Sequence, residues 1–254
     1  MAHVDDLKPS YCVWELTLAC NQRCGHCGSK AGTPRADELD TAECLQVVQS
    51  LAKLGCEVIT LSGGEPTLRS DWYRIAREIR HQGMIPNMVS NGYAMDKTLA
   101  AQMKDAGLAN VAISIDGPEE IHEQIRGKGS FARTVHAIEL LKNVEMPVTI
   151  MTTVNALNLH RLDDIYAVAC ALEVDRWRCQ LGKAMGHMKT NSELIIRPKD
   201  LLILLPKLYA LNETGPVKVG IGDSIGYFGP YDSQLRAVSW KGTRQRWGGC
   251  QAGL

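Results

Sequence analysis

The stretch Glu-Val-Ile-Thr-Leu-Ser-Gly-Gly-Glu-Pro, residues 57–66, decides the fold. Its first five residues are mostly apolar and β-branched, which is typical of a strand buried on both faces of a parallel sheet. The strand runs into two glycines, which allow the backbone to approach a ligand closely. The glutamate and proline that follow place a carboxylate at a rigid bend. This stretch matches neither the P-loop nor the Rossmann glycine pattern, so we do not expect a phosphate cradle.

Strand-like and helix-like segments alternate on both sides of this stretch. Strand character appears at residues 11–18, 57–61, 85–89, 110–115, 147–154 and 174–181. Helical patterns lie between these strands, at residues 40–54, 71–82, 96–106, 130–143 and 162–172. This alternation predicts right-handed βαβ units with parallel strands. We therefore expect an α/β fold, namely a partial or full (β/α)6 barrel of the TIM type.

The unusual residues of the chain follow the carboxyl ends of the predicted strands. They are a cysteine-rich loop at residues 20–27, the turn at 63–66, Asn91-Gly92, Asp116-Gly117, Asn155 and Gly182. In a parallel barrel the carboxyl ends of all strands share one face, and active sites form on that face. The sequence therefore predicts that these scattered motifs are neighbours in space.

The pattern weakens beyond about residue 185. Residues 198–211 have helical character that Pro206 is expected to kink or split, and residues 217–221 are a candidate further strand. Residues 222–254 are rich in glycine and aromatic residues and do not look like a complete domain. We expect a barrel core over 11–185, a flanking C-terminal extension over 186–246, and the start of another domain at 247–254.

The composition excludes several classes of protein. Lys plus Arg and Asp plus Glu both number 28, and this zero net charge gives no reason to expect a nucleic-acid partner. The longest apolar runs, such as residues 201–205, are too short to span a bilayer, and residues 1–9 lack a signal-peptide core. We therefore expect a cytoplasmic protein without a membrane partner.

Three of the nine cysteines have metal-ligand spacing, in the arrangement Cys20-x3-Cys24-x2-Cys27. A structural zinc site requires four ligands, and a cubane iron–sulfur cluster contains four irons. If these cysteines bind a [4Fe–4S] cluster, one iron lacks a cysteine and is free to bind a substrate or cofactor. A zinc site completed by one further cysteine is the alternative, in a module without catalytic activity.

The cysteine spacing, together with Gly63-Gly64-Glu65-Pro66 and Ser114-Ile115-Asp116-Gly117, resembles the radical S-adenosylmethionine (SAM) superfamily. The resemblance covers roughly residues 11–185. It implies that Cys20, Cys24 and Cys27 ligate three irons of a [4Fe–4S] cluster and that the fourth iron chelates SAM. It also implies reductive cleavage of SAM to a 5′-deoxyadenosyl radical, which abstracts a hydrogen from the substrate.

The resemblance implies cofactor-binding roles at several matching positions. Gly63, Gly64 and Glu65 match the motif that holds the methionine amino group. His26 is expected near the adenine, with an exposed loop imidazole as the alternative. Asn91 and Ser114 are expected near the ribose or carboxylate, and Arg126 is expected to pair with the SAM carboxylate. Val154 and Leu181 are either adenine contacts or core residues. Asp116 either orders its turn or touches the cofactor. For Arg126 the alternative is a solvated charge at a helix end.

The C-terminal tail resembles the entry to a SPASM or twitch domain, through residues 223–228 and 247–253. Cys250 is then a candidate ligand of an auxiliary iron–sulfur cluster, in a chain that is truncated or lacks the rest of that domain. SPASM enzymes often modify peptides, so we expect a peptide maturase, with a small cofactor or tetrapyrrole precursor as the alternative substrate. Flavodoxin or ferredoxin is the expected electron donor. Candidate substrate-side groups are Asp223, Tyr227 and Cys179, with ordinary packing as the alternative.

Overall fold

A computed structural model describes residues 9–222, 224–225 and 229–236. They form one open sheet of seven parallel strands, each hydrogen-bonded to the next in chain order. The strands are β1 (Tyr11–Thr17), β2 (Val58–Gly63), β3 (Ile85–Ser90), β4 (Asn110–Ser114), β5 (Val148–Val154), β6 (Arg176–Leu181) and β7 (Lys218–Ile221). The prediction of a partial α/β barrel is therefore confirmed, with the candidate strand near residues 217–221 as the seventh strand.

Helices lie between successive strands and after the last strand. They are α1 (Thr41–Lys53), α2 (Trp72–His81), α3 (Lys97–Asp105), α4 (Glu119–Arg126), α5 (Ser130–Asn143), α6 (Leu162–Ala171), α7 (Gly186–Thr190), α8 (Leu201–Thr214) and α9 (Asp232–Leu235). Short 3-10 turns lie at Pro66–Leu68, Leu159–Arg161, Ser192–Leu194 and Pro198–Asp200. The short helices α4, α7 and α9 had no counterpart among the helices predicted from the sequence.

One apolar core lies between the sheet and these helices. Ile59 and Leu61 of β2 are fully buried, as are Ile75 and Ile79 of α2 and Met88 of β3. Ile59 and Leu61 are two residues apart and lie on one face of the sheet, and Ile75 and Ile79 lie one helical turn apart on one face of the helix. The burial of both kinds of apolar face against each other accounts for the layered architecture.

Local signals in the sequence account for the ends of the elements. Asp40 caps α1 by accepting a hydrogen bond from the Glu43 N–H at 2.9 Å, and the Glu43 carboxylate accepts one from the Asp40 N–H at 2.8 Å. This reciprocal capping box satisfies two backbone donors that the helix leaves unpaired. The capping box thereby fixes the N-terminus of α1 beyond the segment that follows the cysteine-rich loop.

Two segments, β2 and α8, differ from the sequence-based expectation in more than their exact end residues. β2 continues through Gly63, because Gly63 pairs with Thr17 of β1 after a register shift. α8 continues through Pro206 rather than splitting. Buried Leu204, Leu205 and Leu208 pack into the core and offset the backbone hydrogen bond that the proline lacks. No helix within the described residues is long and apolar enough to cross a membrane.

Candidate functional site

The cysteine loop, residues 18–32, lies at the carboxyl end of β1. Its two ends are hydrogen-bonded to each other, with the Gly32 N–H donating to the Leu18 carbonyl at 2.7 Å and the Cys20 N–H donating to the Gly32 carbonyl at 3.1 Å. Cys24 is buried, and Cys20 and Cys27 are half-buried. All three are free thiols. The loop thus gathers three soft donor atoms on one short, closed segment.

Hydrogen-bond donors surround these three sulfurs. The Gln22 N–H donates to Cys20 Sγ and the Ala31 N–H to Cys27 Sγ, each at 3.4 Å. Arg126 Nη1 lies 3.8 Å from Cys24 Sγ. Burial raises the pKa of the Cys24 thiol, and the positive charge of Arg126 opposes that rise. Donors directed at sulfur stabilise the thiolate form, which is the form that binds iron.

The two glycines after β2 hold the start of the cysteine loop against the sheet. Gly63 has a φ of +130°, and a Cβ there would lie 2.2 Å from the Thr17 carbonyl oxygen. A Cβ on Gly64 would lie 2.3 Å from the Ala19 carbonyl oxygen. The Gly64 N–H donates to the Thr17 carbonyl at 2.7 Å. Only glycine permits so close an approach, so both residues have a structural role independent of any ligand.

Glu65 is buried and links the end of β2 to the end of β3. Its carboxylate accepts hydrogen bonds from the Asn91 N–H at 2.7 Å, from Ser90 Oγ at 3.0 Å and from Thr67 Oγ1 at 2.7 Å. Burial raises the pKa of Glu65, and these donors partly counteract the rise. The predicted contact of Glu65 with a methionine amino group stays a prediction.

Asn91 carries this connection on to the cysteine loop. Its side-chain Nδ2 donates to Asn21 Oδ1 at 2.8 Å and lies 3.7 Å from Cys20 Sγ. Its Oδ1 accepts from the Tyr93 N–H at 2.8 Å, which fixes the orientation of the amide. The first cysteine therefore has a neighbour that is itself held by β3.

Asp116, after β4, is the centre of a second set of contacts to the loop. It is fully buried, and its Oδ2 lies 2.7 Å from His26 Nε2 and 2.5 Å from Arg126 Nε. Its Oδ1 accepts from the Thr153 N–H of β5 at 2.8 Å. Burial alone would raise the pKa of Asp116, but the charges of Arg126 and His26 outweigh it and hold that pKa well below its usual range. Asp116 thus orders its turn and connects β4, β5 and the cysteine loop.

The side chains of His26 and Arg126 are both buried, whereas the alternatives considered from the sequence placed each of them in solvent. His26 is 8% exposed rather than a surface imidazole, and its Nδ1 is buried with no partner among the described residues. Arg126 ends α4, but its side chain is buried beside Asp116 rather than solvated. The predicted contacts of these two residues with SAM stay predictions.

The remaining sequence-predicted positions fall into two groups. Ser114 is buried at the end of β4, and Val154 and Leu181 end β5 and β6. Cys179 is fully buried in the hydrophobic core, and burial raises its pKa well above the ordinary value. These surroundings favour packing over a hydrogen-donor role for Cys179. Asp223, Tyr227 and Cys250 lie outside the described residues.

Several residues of the site were not predicted from the sequence, because they belong to no recognisable motif. Glu38, between the loop and α1, accepts from the Leu18 N–H at 2.7 Å and from Thr17 Oγ1 at 3.0 Å. The other missed residues are Asn21, Gln22, Ser90, Thr153, His187 and Asn191. Single polar residues carry no periodic signal, and most of these have partners that lie far away in the chain.

The donor set fits an iron–sulfur cluster better than a single metal ion. Three thiols with N–H donors around them are the chemistry of a cluster site. Gln22 Nε2, like His26 Nδ1, is buried beside the cysteines without a partner among the described residues, so polar groups there are available to a ligand. Within the same residues, no group of three or more His, Cys, Asp or Glu side chains is arranged to hold one metal ion.

The fold and site define a parallel α/β partial barrel whose carboxyl end holds a loop with three cysteines. The sequence profile of the Radical SAM superfamily matches residues 14–169. The chain belongs to this superfamily. The family implies a [4Fe–4S] cluster and SAM as cofactors, in agreement with the resemblance seen in the sequence.

Two relatives illustrate the range of similar proteins. The AdoMet-dependent heme synthase of Methanosarcina barkeri (strain Fusaro / DSM 804) is 35% identical over 223 residues, covering 87% of this chain and 63% of that protein. The mycofactocin maturase MftC of Mycolicibacterium smegmatis is 33% identical over 163 residues, covering 63% of this chain and 42% of that protein. The chain thus spans less than two thirds of the length of either relative.

Among solved structures, SuiB of Streptococcus suis has a similar fold. Its structure bound to S-adenosylmethionine matches with a TM-score of 0.72 at 13% identity, covering 89% of this chain and 55% of that chain. Its structure bound to the precursor peptide SuiA matches with a TM-score of 0.71, also at 13% identity, covering 94% of this chain and 62% of that chain. At this identity the similarity shows the fold alone.

Proposed function

We propose that this chain is the radical-generating barrel of an enzyme that modifies a ribosomally made peptide or protein. The observation that carries the proposal is the convergence of two buried connections on one cysteine loop. Asn91, held by Glu65, reaches the loop from β3, and Arg126 and His26 meet Asp116 after β4. A loop held from two strands suits a cluster that must keep its orientation toward a cofactor.

We assign Cys20, Cys24 and Cys27 as the ligands of the cluster. When bound, the cluster and SAM supply the one-electron chemistry that allows a hydrogen to be abstracted from the substrate. The protein contributes position and charge. Arg126 places a guanidinium beside Cys24, and Asn91 orients an amide toward Cys20.

We also propose which residues contact SAM. The assigned residues lie at or just after the carboxyl ends of β2, β3, β4 and α4, near the cysteines. They are Gly63, Gly64, Glu65, Asn91, Ser114 and Arg126. His26 Nδ1 has hydrogen-bonding capacity that no described residue uses. Since both carboxylate oxygens of the buried Asp116 already have partners in His26, Arg126 and Thr153, we assign it an ordering role rather than contact with SAM.

A peptide substrate is supported by the maturase relative and by SuiB, which has been solved with its precursor peptide. The open edge of the barrel, between β1 and β7, leaves a side at which an extended chain could approach the carboxyl end. We further propose a SPASM or twitch domain after this region, with Cys250 as an auxiliary-cluster ligand. The division into 11–185, 186–246 and 247–254 belongs to the same proposal.

A tetrapyrrole or other small precursor is the second candidate substrate. One observation favours it, because the heme synthase relative is similar over 87% of this chain and the maturase over 63%. Either reaction needs an electron donor, for which we propose flavodoxin or ferredoxin. The free thiols of the described residues are consistent with a reducing compartment such as the cytoplasm.

Anaerobic reconstitution tests the radical SAM assignment. The protein is loaded with iron and sulfide, reduced with dithionite and given SAM, and 5′-deoxyadenosine is measured. We expect about four irons per chain and detectable product, both lost in a Cys20/Cys24/Cys27→Ala variant. A Cys12/Cys56/Cys170→Ala variant removes three thiols outside the loop and should retain both. Wild-type protein that binds no iron would exclude the assignment.

A second measurement separates the two substrate classes. The reconstituted enzyme is incubated with a peptide encoded beside its gene or with an iron-containing porphyrin precursor. A mass change in the peptide, together with accelerated formation of 5′-deoxyadenosine, would support the maturase. Acceleration by the porphyrin precursor alone would favour the tetrapyrrole reaction instead.

A further inference from the structure

The segment between β6 and α8 reaches back to the cysteine loop from a distant part of the chain. We call residues 183–195 the strap. They include α7 and the turn at Ser192–Leu194, and they lie outside the matched family segment, which ends at residue 169. The strap therefore joins the end of β6 to the loop that follows β1, across the carboxyl end of the open sheet.

Three carbonyl oxygens of the cysteine loop accept hydrogen bonds from the strap. The His187 N–H donates to the Cys27 carbonyl at 2.8 Å, and His187 Nδ1 lies 3.1 Å from the Cys24 carbonyl oxygen. Asn191 Nδ2 donates to the Gly25 carbonyl at 2.8 Å. Because a carbonyl oxygen only accepts, His187 must carry its hydrogen on Nδ1. The backbone between the second and third cysteines is thus bonded at nearly every carbonyl.

The strap is itself anchored to two other strand ends. Met188 is fully buried and packs so closely on Gly182 that a Cβ there would lie 2.4 Å from the Met188 methyl carbon. The Leu194 carbonyl accepts from the Ala156 N–H, after β5, at 2.9 Å. The strap can therefore transmit a fixed position from β5 and β6 to the loop.

Gly186 shows how closely the two segments approach each other. Its φ is +52°, and a Cβ there would lie 2.3 Å from the Cys27 carbonyl oxygen and 2.4 Å from that of Gly28. Both the conformation and the space favour glycine. This contact is backbone against backbone, so a side chain could not be accommodated by a change of rotamer.

We propose that the strap holds the cysteine loop in its cluster-binding arrangement, with His187 and Asn191 as positioning residues. The inference rests on the proposed function, because it takes Cys20, Cys24 and Cys27 as cluster ligands. In the absence of a cluster, the loop has little regular structure of its own. The strap bonds to three parts of the loop backbone and so restricts the loop before the cluster binds. The loop then loses less conformational entropy when it binds the cluster.

Hydrogen exchange in the cluster-free protein tests the contact independently of any cluster. His187→Leu and Asn191→Asp each remove a donor with little change in size, whereas His187→Asn keeps a donor near the Nδ1 position. We expect about tenfold faster exchange of amides in residues 20–28 in the first two variants and a rate near that of wild type in His187→Asn. A peptide covering α3 serves as the reference for global stability.

Cluster retention then tests the positioning role. Each variant is reconstituted, and the decay of cluster absorbance is followed after addition of an iron chelator. His187→Leu and Asn191→Asp should lose iron about tenfold faster than wild type, with His187→Asn restored toward the wild-type rate. The reduced cluster of the first two variants should also show an altered electron paramagnetic resonance signal on addition of SAM. The control variants His136→Leu and Asn143→Asp lie on the exposed side of α5 and should match wild type.

The outcomes separate this inference from the proposed function. Normal loading of wild type, with unchanged exchange and unchanged iron loss in the two donor-removing variants, would overturn the strap proposal alone. Equal acceleration in the α3 peptide would show general destabilisation and would also overturn it. Wild-type protein that takes up no iron would overturn the proposed function, whereas the exchange measurement would still report on the contact.

Discussion

At the amino-terminal end of the sheet the chain turns from helix to strand by one repeated local motif, whereas at the carboxyl end its loops are bonded to one another. Five helix–strand turns at the amino-terminal end contain a residue with positive φ followed by an N–H that bonds to a carbonyl five residues earlier. The residues with positive φ are Gly55, Gly83, Gly107, Glu145 and Glu173. This arrangement is the Schellman motif, which closes a helix with its own backbone.

The carboxyl end depends on contacts between residues that are distant in the chain. The bond between His26 and Asp116 spans 90 residues, and that between Asn191 and Gly25 spans 166. Charged groups are also buried there, since Asp116 is fully buried and the Arg126 side chain is 9% exposed. The comparison shows that one end of the sheet is closed by repeated local turns, whereas the other is assembled by long-range polar contacts around the cysteines.

The largest expected effect comes from Asp116→Asn. The substitution leaves the buried Arg126 guanidinium without its countercharge, and we expect a loss of about 3–5 kcal/mol in the free energy of unfolding. Denaturant unfolding of the cluster-free protein measures this loss. Asp163→Asn, which removes one partner of an exposed pair with Lys207, should cause little change. Similar small losses in both variants would mean that the carboxyl end does not depend on the buried charges.

Gly64→Ala should have the next largest effect. Its Cβ would lie 2.3 Å from a backbone oxygen of the cysteine loop, so we expect a loss of about 3 kcal/mol and lower iron content after reconstitution. Gly83→Ala, at the other end, meets no atom within 4 Å but has a φ of +80°. It should cost about 1–2 kcal/mol and leave iron content unchanged. Equal iron content in the two variants would contradict the distinction between the two ends.

The dependence of stability on pH gives a smaller effect. Burial and the nearby charge of Arg126 lower the pKa of His122 to about 4, from an ordinary value of 6.5. Below pH 6.5 the unfolded chain therefore binds a proton that the folded protein does not bind. The contribution of neutral His122 to the free energy of unfolding is therefore fully present above pH 6.5. It is lost as the pH falls toward 4, by about 1.4 kcal/mol per pH unit.

Unfolding at pH 7.5 and 5.5 measures this loss. In His122→Gln, which does not titrate in this range, we expect the difference in the free energy of unfolding between pH 7.5 and pH 5.5 to be smaller by about 1.3 kcal/mol. His136→Gln, on an exposed face of α5, should keep the wild-type difference. An unchanged difference in His122→Gln would show that His122 is not kept neutral in the folded state.

The smallest expected effect, with the opposite sign, comes from Glu145→Gly. Glu145 is exposed and has a φ of +55°, which glycine adopts without steric cost. Because glycine loses more entropy on folding, the net gain in the free energy of unfolding should be below about 1 kcal/mol. Iron content should be unaffected. A marked destabilisation in the same unfolding measurement would show that this turn depends on the glutamate side chain.

Much of the fold was predictable because its signals are local. The apolar strands, the capping box at Asp40 and Glu43, and helix ends at Gly55, Gly83 and Gly107 all lie in short windows of sequence. The equivalent turns at Glu145 and Glu173 were not predictable from glycine, because glutamates occupy the positions with positive φ. Helix α7 was also missed, since five residues are too few to show a helical period.

The candidate site was predictable only where motifs were dense. Cys20, Cys24 and Cys27 lie within eight residues and were recognised together, and Gly63 and Gly64 were recognised as a pair. The ligand roles assigned to these residues stay predictions. The hydrogen-bond partners within the site could not be predicted from the sequence, because no motif connects Asp116 with Thr153 or His187 with Cys24.

The sequence by itself determined the alternation of strands and helices, the end of the sheet that carries the unusual residues, and membership of the radical SAM superfamily. Each of these follows from patterns that repeat or cluster over a few residues. Only the tertiary structure decided that Asp116 joins His26 to Arg126, that Glu65 and Asn91 support the first cysteine, and that the strap bonds to the loop. The physical reason is that a hydrogen bond depends on position in space, and parallel crossovers bring together residues that the chain separates by tens to hundreds of positions.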